Sequence, residues 1–262
     1  MKKITLKRKE IVLGIVFLFL VQVINAQFQE TIQANRPGAA VNVFTVGKDV
    51  FQVEAGLDYK EKSDVFTSNV LLKYGVSEKI EINTGITYNP AKNFGINNEI
   101  YSFGAKYNIF EGDDMLPSTG FQATINIPSI DKQNSYASLL FLMGFSLSEK
   151  WSYTFNFGAD VDFEKSVVFQ GTTEEKNEIL IKGVYAFNLV YSVNDKMSVF
   201  IEPFGSLDKY DDPKIRMNFN TGLSYLVNND LQLDVIAGHN KLADDGLSIG
   251  AGISWRLAPN KK

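Results

Sequence analysis

The sequence contains no cysteine and only one histidine, His239. Without cysteine there is no disulfide staple, no thiolate metal site and no lipid-modified N-terminal cysteine. A single histidine rules out a multi-histidine metal centre, and no cofactor is expected. No sign of charge is in large excess: 26 basic residues stand against 30 acidic ones, for a net charge of −4. That balance gives no reason to expect a nucleic-acid partner. A phosphate-binding glycine loop and a cluster of metal-ligand residues are both missing. So is any apolar run of the roughly 20 residues that a membrane-crossing helix needs.

The longest apolar run, 11–24, is broken only by Gly14 and Gln22. It follows Lys2, Lys3, Lys7, Arg8 and Lys9 and ends near Ala26, a small residue suited to cleavage before Gln27. This is the layout of a secretory signal peptide, so residues 1–26 are expected to be removed on export. Their loss would leave the mature chain more acidic. The whole chain is 45% hydrophobic, with mean hydropathy −0.08. Those averages suit a soluble globule and a lipid-facing barrel equally, because only every second barrel residue faces lipid. The pattern has to decide.

It alternates with period two. Trp151, Tyr153, Phe155, Phe157, Ala159, Val161 and Phe163 take successive odd positions, with Ser, Thr, Asn, Gly and Asp between them. A strand separates these two sets onto opposite faces, whereas a helix would mix them. The same pattern marks about twelve strands, at 50–59, 65–76, 80–89, 99–110, 119–127, 136–147, 151–163, 178–192, 197–206, 215–227, 231–239 and 247–257. The span 197–206 is the least regular, since Phe200 and Phe204 fall in the phase opposite to Val199 and Ile201.

Short polar connections such as Ser77-Glu78-Lys79 and Asn194-Asp195-Lys196 alternate with longer ones at 90–98, 128–135, 164–177, 207–214 and 240–246. That asymmetry belongs to transmembrane barrels. Tyr74, Trp151, Tyr191, Tyr225 and Trp255 cluster near the short turns or the chain end, where an aromatic girdle is stable at the membrane interface. Tyr59, Tyr88 and Phe163 lie near the opposite ends. Strands of about ten residues or more exceed the five or six usual in soluble sheets and match a tilted bilayer crossing. A sheet in lipid must close, because an unpaired edge has no water to bond. The expectation is therefore an all-β, closed antiparallel up-and-down transmembrane barrel over 49–257. An N-terminal segment 27–48 would sit at the periplasmic mouth or face the lumen, and 258–262 would form a C-terminal tail. Localisation to the cell outer membrane of a Gram-negative bacterium follows. Outer-membrane lipid and the barrel-assembly machinery are the expected partners.

Two stretches carry a family resemblance. The first is Gln33-Ala34-Asn35-Arg36-Pro37-Gly38 followed by Val46-Gly47-Lys48-Asp49-Val50-Phe51-Gln52-Val53-Glu54-Ala55-Gly56. The second is Phe219-Asn220-Thr221-Gly222-Leu223-Ser224-Tyr225-Leu226 followed by Asp230-Leu231-Gln232-Leu233-Asp234. Together they resemble the bacterial outer-membrane family labelled with the MetA pathway of phenol degradation. Asn35 stands where that family often has Asp, and Asp49 where it often has Gly. The resemblance implies a barrel with a transporter-like role.

Candidate function lies on the inward face. Glu54, Glu81, Lys106, Asp160, Glu202, Arg216, Asp234 and Arg256 fall in the polar phase and are expected to line the lumen. Lys73 shares that phase. Arg36, ahead of the first strand, is placed to reach Glu54, Glu202 or Asp234, since an arginine fork suits a carboxylate. These residues fit either a solute path or an internal network that pairs its own charges. A hydrolase would need His239 with a partner such as Ser248 or Asp244, and no nucleophile–base–orienter set can be assembled. Three functions follow in order: a channel or transporter for a small solute, a structural or surface-interaction barrel with a plugged lumen, and a barrel hydrolase.

Overall fold

The computed structural model describes residues 30–90, 98–113, 115–129, 134–163, 166–168, 175–177, 180–208, 214–240 and 246–257. The expected signal segment 1–26 and tail 258–262 lie outside these. Twelve long strands close into one antiparallel barrel. They are β1 (Phe51–Lys60), β2 (Val65–Gly75), β3 (Ile80–Asn89), β4 (Asn98–Phe110), β5 (Ser118–Pro128), β6 (Tyr136–Ser146), β7 (Trp151–Asp162), β10 (Leu180–Asn194), β11 (Met197–Asp208), β12 (Lys214–Asn228), β13 (Leu231–Asn240) and β14 (Gly246–Leu257). Each pairs with its neighbour along the chain, and β1 closes the barrel on β14 with Phe51 opposite Leu257. Both ends of the barrel chain therefore lie at the short-turn end.

Period-two alternation sets the polarity of the wall. Leu57, Ile82, Phe103, Phe121, Phe157, Ile201, Val235 and Ile253 point outward and are exposed. Gln52, Glu54, Lys73, Glu81, Lys106, Glu202 and Arg256 point inward and are buried. This inverts the arrangement of a soluble protein and suits a chain whose outer solvent is hydrocarbon. Val235 sits mid-strand on that outer face, so Val235→Arg should destabilise the folded barrel by about 2–4 kcal/mol in lipid vesicles. A urea titration of both proteins in the same vesicles measures the difference.

The aromatics near the short turns all face outward. Trp151 packs on Tyr191 with ring centroids 4.8 Å apart, directly across the β7–β10 ladder. Tyr225 stands opposite Met197, Trp255 opposite Leu231 and Tyr74 opposite Phe51. At the other end Tyr59 packs on Phe66 at 5.1 Å.

Three departures from the sequence reading have physical causes. The strand expected at 178–192 is described from Leu180 and continues to Asn194, with a register irregularity against β11 at Ser192/Asn194, while 178–179 lie outside the described residues. The connection 164–177 contains a small hairpin of β8 (Ser166–Val168) and β9 (Glu175–Asn177), too short to show a period. Phe200 and Phe204 disturb the expected alternation because the inward face of β11 is partly aromatic. Phe200 is buried over Gly222 on β12, and a methyl group at Gly222 would lie 2.6 Å from its ring. Large and small residues thus alternate across the narrow interior.

Candidate functional site, the occupied barrel lumen

Residues 30–48 form neither helix nor strand, so their backbone groups have no ladder to bond to. The barrel wall supplies the partners. The segment enters at the short-turn end, where Ile32 donates its N–H to the Asn229 carbonyl and Arg256 Nη2 donates to the Glu30 carbonyl. The Gln33 carbonyl accepts from Gln52 Nε2 at 3.1 Å and Lys73 Nζ at 3.4 Å. The backbone N–H groups of Asn35 and Arg36 donate to the Glu54 carboxylate at 3.0 and 3.1 Å. Gln232 Nε2 donates to the Arg36 carbonyl.

The Arg36 side chain adds its own bonds to the wall. Its Nη2 and Nε donate to the two oxygens of Asp234, at 3.1 and 3.3 Å, and Nη1 donates to Asn69. The guanidinium lies against Gly56 of β1 and Gly252 of β14, which face each other across the closing ladder. A Cβ at either position would meet it, so this pair of glycines forms its seat. Beyond Pro37 the chain turns at Gly38, whose φ of +117° is open to glycine but strained for other residues. Ala39 and Ala40 then donate to the Glu202 carboxylate at 2.7 and 2.9 Å. Asn156 receives the Val41 N–H at 2.6 Å and donates to the Val41 carbonyl at 3.0 Å.

From this arch the chain descends again. Val43 is buried against Gly144, and its carbonyl accepts from Asn108. Lys106 donates to the Phe44 carbonyl, the Val46 N–H donates to Glu81, and Thr45 donates to the Glu78 carbonyl in the β2–β3 turn. A tight turn at Gly47-Lys48-Asp49 leads into β1.

Charge burial accompanies this filling. Lys73 and Glu54 lie 2.5 Å apart with side chains 0% and 2% exposed. Lys106 and Glu81 are 3.3 Å apart and fully enclosed. Arg256 pairs with Asp230 at 2.6 Å. Such burial is sustainable only when each ion has a partner and further hydrogen bonds. Space remains beneath the arch: a cavity of about 130 Å³ is lined by Asn35, Asn42, Thr154, Asn188, Ser198 and Phe200, among others. A second, of about 350 Å³, lies between Asn42–Phe44 and the rim residues Ser118, Ser146 and Ser152.

Of the residues singled out from sequence, Arg36, Glu54, Glu81, Lys106, Glu202, Asp234 and Arg256 meet at this segment. Asp160 and Arg216 do not. Asp160 accepts from Ser138 and pairs with Lys182 at 3.5 Å in the half of the lumen nearer the long loops. Arg216 stands across from Ser206 in the same half. Among the three carboxylates within reach, the Arg36 side chain takes Asp234, while Glu54 and Glu202 take backbone N–H groups. Asn69, Asn108, Asn188 and Asn220 were not singled out, although Asn69 and Asn108 also hold the segment. Their inward phase was the one available signal.

His239 faces outward at the end of β13, with Nδ1 3.1 Å from the Gly246 carbonyl. Ser248 pairs across from Gly238 on the inward face, so the two side chains lie on opposite sides of the sheet. Asp244 lies outside the described residues. Among the described residues no group of three His, Cys, Asp or Glu side chains could hold a metal ion.

Over residues 34–257 the sequence matches the family described as "Putative MetA-pathway of phenol degradation". The chain belongs to that family. No curated protein matches it significantly. Among solved structures it is similar to the KdgM porin, with TM-score 0.59 at 9% identity, covering 79% of this chain and 99% of that one. It is similar also to an outer membrane channel from Pseudomonas putida F1, with TM-score 0.58 at 11% identity, covering 86% and 100%. At such identities the likeness is one of fold: a closed barrel of the outer-membrane channel type.

In this family member the matched stretch holds Arg36 and Gly38 together with Glu54, Glu202 and Asp234. Asp49, which departs from the family's usual glycine, sits at φ 59° in the left-handed region that glycine enters freely and Asp tolerates. Its carboxylate accepts from the Tyr74 hydroxyl. Gly252 gives a direct test of the seat. Gly252→Val should displace the guanidinium and expose residues 30–40 to proteinase K, while the barrel keeps its heat-dependent gel shift. Equal protection in both proteins would mean that Arg36 does not depend on this seat.

Proposed function

We propose that this protein is an outer-membrane channel for a small solute, with a lumen closed at the short-turn end by its own residues 30–48. Passage is passive and follows the polar interior once the arch at 37–41 shifts. The observation that carries this reading is a closed twelve-stranded barrel with a hydrogen-bonding lumen and an apolar belt. Its strand number falls between small barrels filled by side chains and open porins of 16–18 strands. The plug bonds through groups that water can replace, so its movement need not unfold the wall. The apolar belt supports outer-membrane lipid as its surroundings, and insertion would require the barrel-assembly machinery. No catalytic role is assigned, and Arg36, Glu54, Glu81, Lys106, Glu202, Asp234 and Arg256 act as plug anchors and lumen lining, with Asp160 and Arg216 on the outer approach.

The density of contacts around residues 30–48 favours a second reading, a permanently plugged structural barrel. Single-channel recording of the refolded mature chain in a planar bilayer separates the two. Steady ohmic steps support the channel. Silence from a barrel that still shows its heat-dependent gel shift supports the structural reading.

A further inference from the structure

The buried acids of the lumen fall into two kinds. Glu54 is matched by Lys73 and Glu81 by Lys106, both pairs within the barrel wall. Among the described residues Asp234 and Glu202 have no such wall partner. The cation on Asp234 is Arg36, which belongs to the plug. Among the described residues Glu202 is held by four N–H donors and no cation: the backbones of Ala39 and Ala40, and the amides of Asn188 at 3.1 Å and Asn220 at 2.8 Å. When the plug shifts, Asp234 loses its cation and Glu202 loses half its donors. Carboxylates in so enclosed a place need replacements from whatever enters.

A separate observation points the same way. Asn188 is 7% exposed, and its amide oxygen accepts no hydrogen bond among the described residues. It lines the cavity of about 130 Å³ under the arch together with Phe200, Ser198, Ser224 and Thr154. An empty acceptor beside a carboxylate and an aromatic ring suits an N–H-bearing cation.

We infer that the plug fills, with its own N–H groups and guanidinium, the sites of a small organic cation of the alkylammonium or guanidinium class. Asp234, Glu202 and Asn188 then set the selectivity of the open lumen. This rests on the channel reading above. Anions find no unmatched wall cation among these pairs, and neutral solutes leave both carboxylates without charge compensation.

The test uses the mature chain and its Arg36→Ala variant, each also carrying Glu202→Gln or Asp234→Asn. Reversal potentials are recorded in a KCl gradient and again with potassium replaced by guanidinium or ethylammonium. Arg36→Ala should prefer cations over chloride about fivefold, the factor given by roughly 1 kcal/mol between unit charges in contact in water. It should carry guanidinium and ethylammonium at least as well as potassium, and either carboxamide substitution should reduce that preference. Current without cation preference, or preference untouched by both carboxamides, overturns the inference and leaves the channel standing. A second measurement does not depend on current: guanidinium chloride at millimolar concentration should raise the unfolding temperature of Arg36→Ala but not of Arg36→Ala/Asp234→Asn. Equal response of the two overturns the inference. Silence from every folded variant overturns the channel reading, and the unfolding comparison then decides the site alone. Should Arg36→Ala fail to fold, the open events of the intact chain and of its Glu202→Gln variant give the same comparison.

Discussion

A disulfide between Val41→Cys and Asn156→Cys should silence the channel when oxidised, and a reducing agent should restore the current. The two residues are bonded to each other through both backbone groups of Val41 and the Asn156 amide, at 2.6 and 3.0 Å. The native chain has no cysteine, so the engineered bridge has no competitor. Oxidation converts a segment held by exchangeable hydrogen bonds into one that cannot leave β7. Each bond to a charged acceptor contributes only about 1.5–3 kcal/mol net, because water replaces it when the arch moves. Among the described residues five such interactions hold the stretch from Asn35 to Ala40, two to Glu54, two to Glu202 and the Arg36–Asp234 fork. They favour the closed arrangement without making it permanent. The converse variant, a chain beginning at Lys48, should give larger and steadier conductance steps. If oxidation leaves the current unchanged, conduction does not pass the arch, and residues 30–48 are not the gate.

Lys73→Met should have the largest effect on stability, a loss of about 3–5 kcal/mol, because it leaves the Glu54 charge buried and unpaired. Glu54 would keep its bonds from Asn35, Arg36 and Gln52, but no cation at contact distance. The double variant Lys73→Met/Glu54→Gln should recover most of that loss, since a neutral amide can still accept the two backbone N–H groups. Denaturant midpoints in vesicles, taken around the full cycle of single and double variants, isolate the pair. A Lys73→Met shift below about 1 kcal/mol, the range of exposed pairs, would mean that water reaches this level of the lumen.

Most of the barrel could be read from the chain because its rule is local. A residue in a strand between lipid and lumen announces its face by its own polarity and that of its neighbours, as Trp151 to Val161 do. Strand length, short turns and interface aromatics repeat the message at independent positions. Where the reading slipped, the local rule was broken by packing. Phe200 faces inward because Gly222 makes room across the ladder. The hairpin at Ser166–Val168 and Glu175–Asn177 carries too few residues for a period.

The lumen was legible as a list of polar residues and not as an arrangement. Arg36 and Asp234 are separated by 198 positions, and Ala40 and Glu202 by 162. No periodicity links such positions, and residues 30–48 have no regular structure that would show one. By itself the sequence determined a closed antiparallel barrel, its polarity and its ends, because alternation and length act residue by residue along each strand. Only the tertiary structure decided that the N-terminal segment fills the lumen, that Arg36 takes Asp234 over Glu54 or Glu202, and that two acids depend on the plug. Those choices belong to whichever side chains closure of the barrel brings across its interior, and that distance does not exist until the sheet is closed.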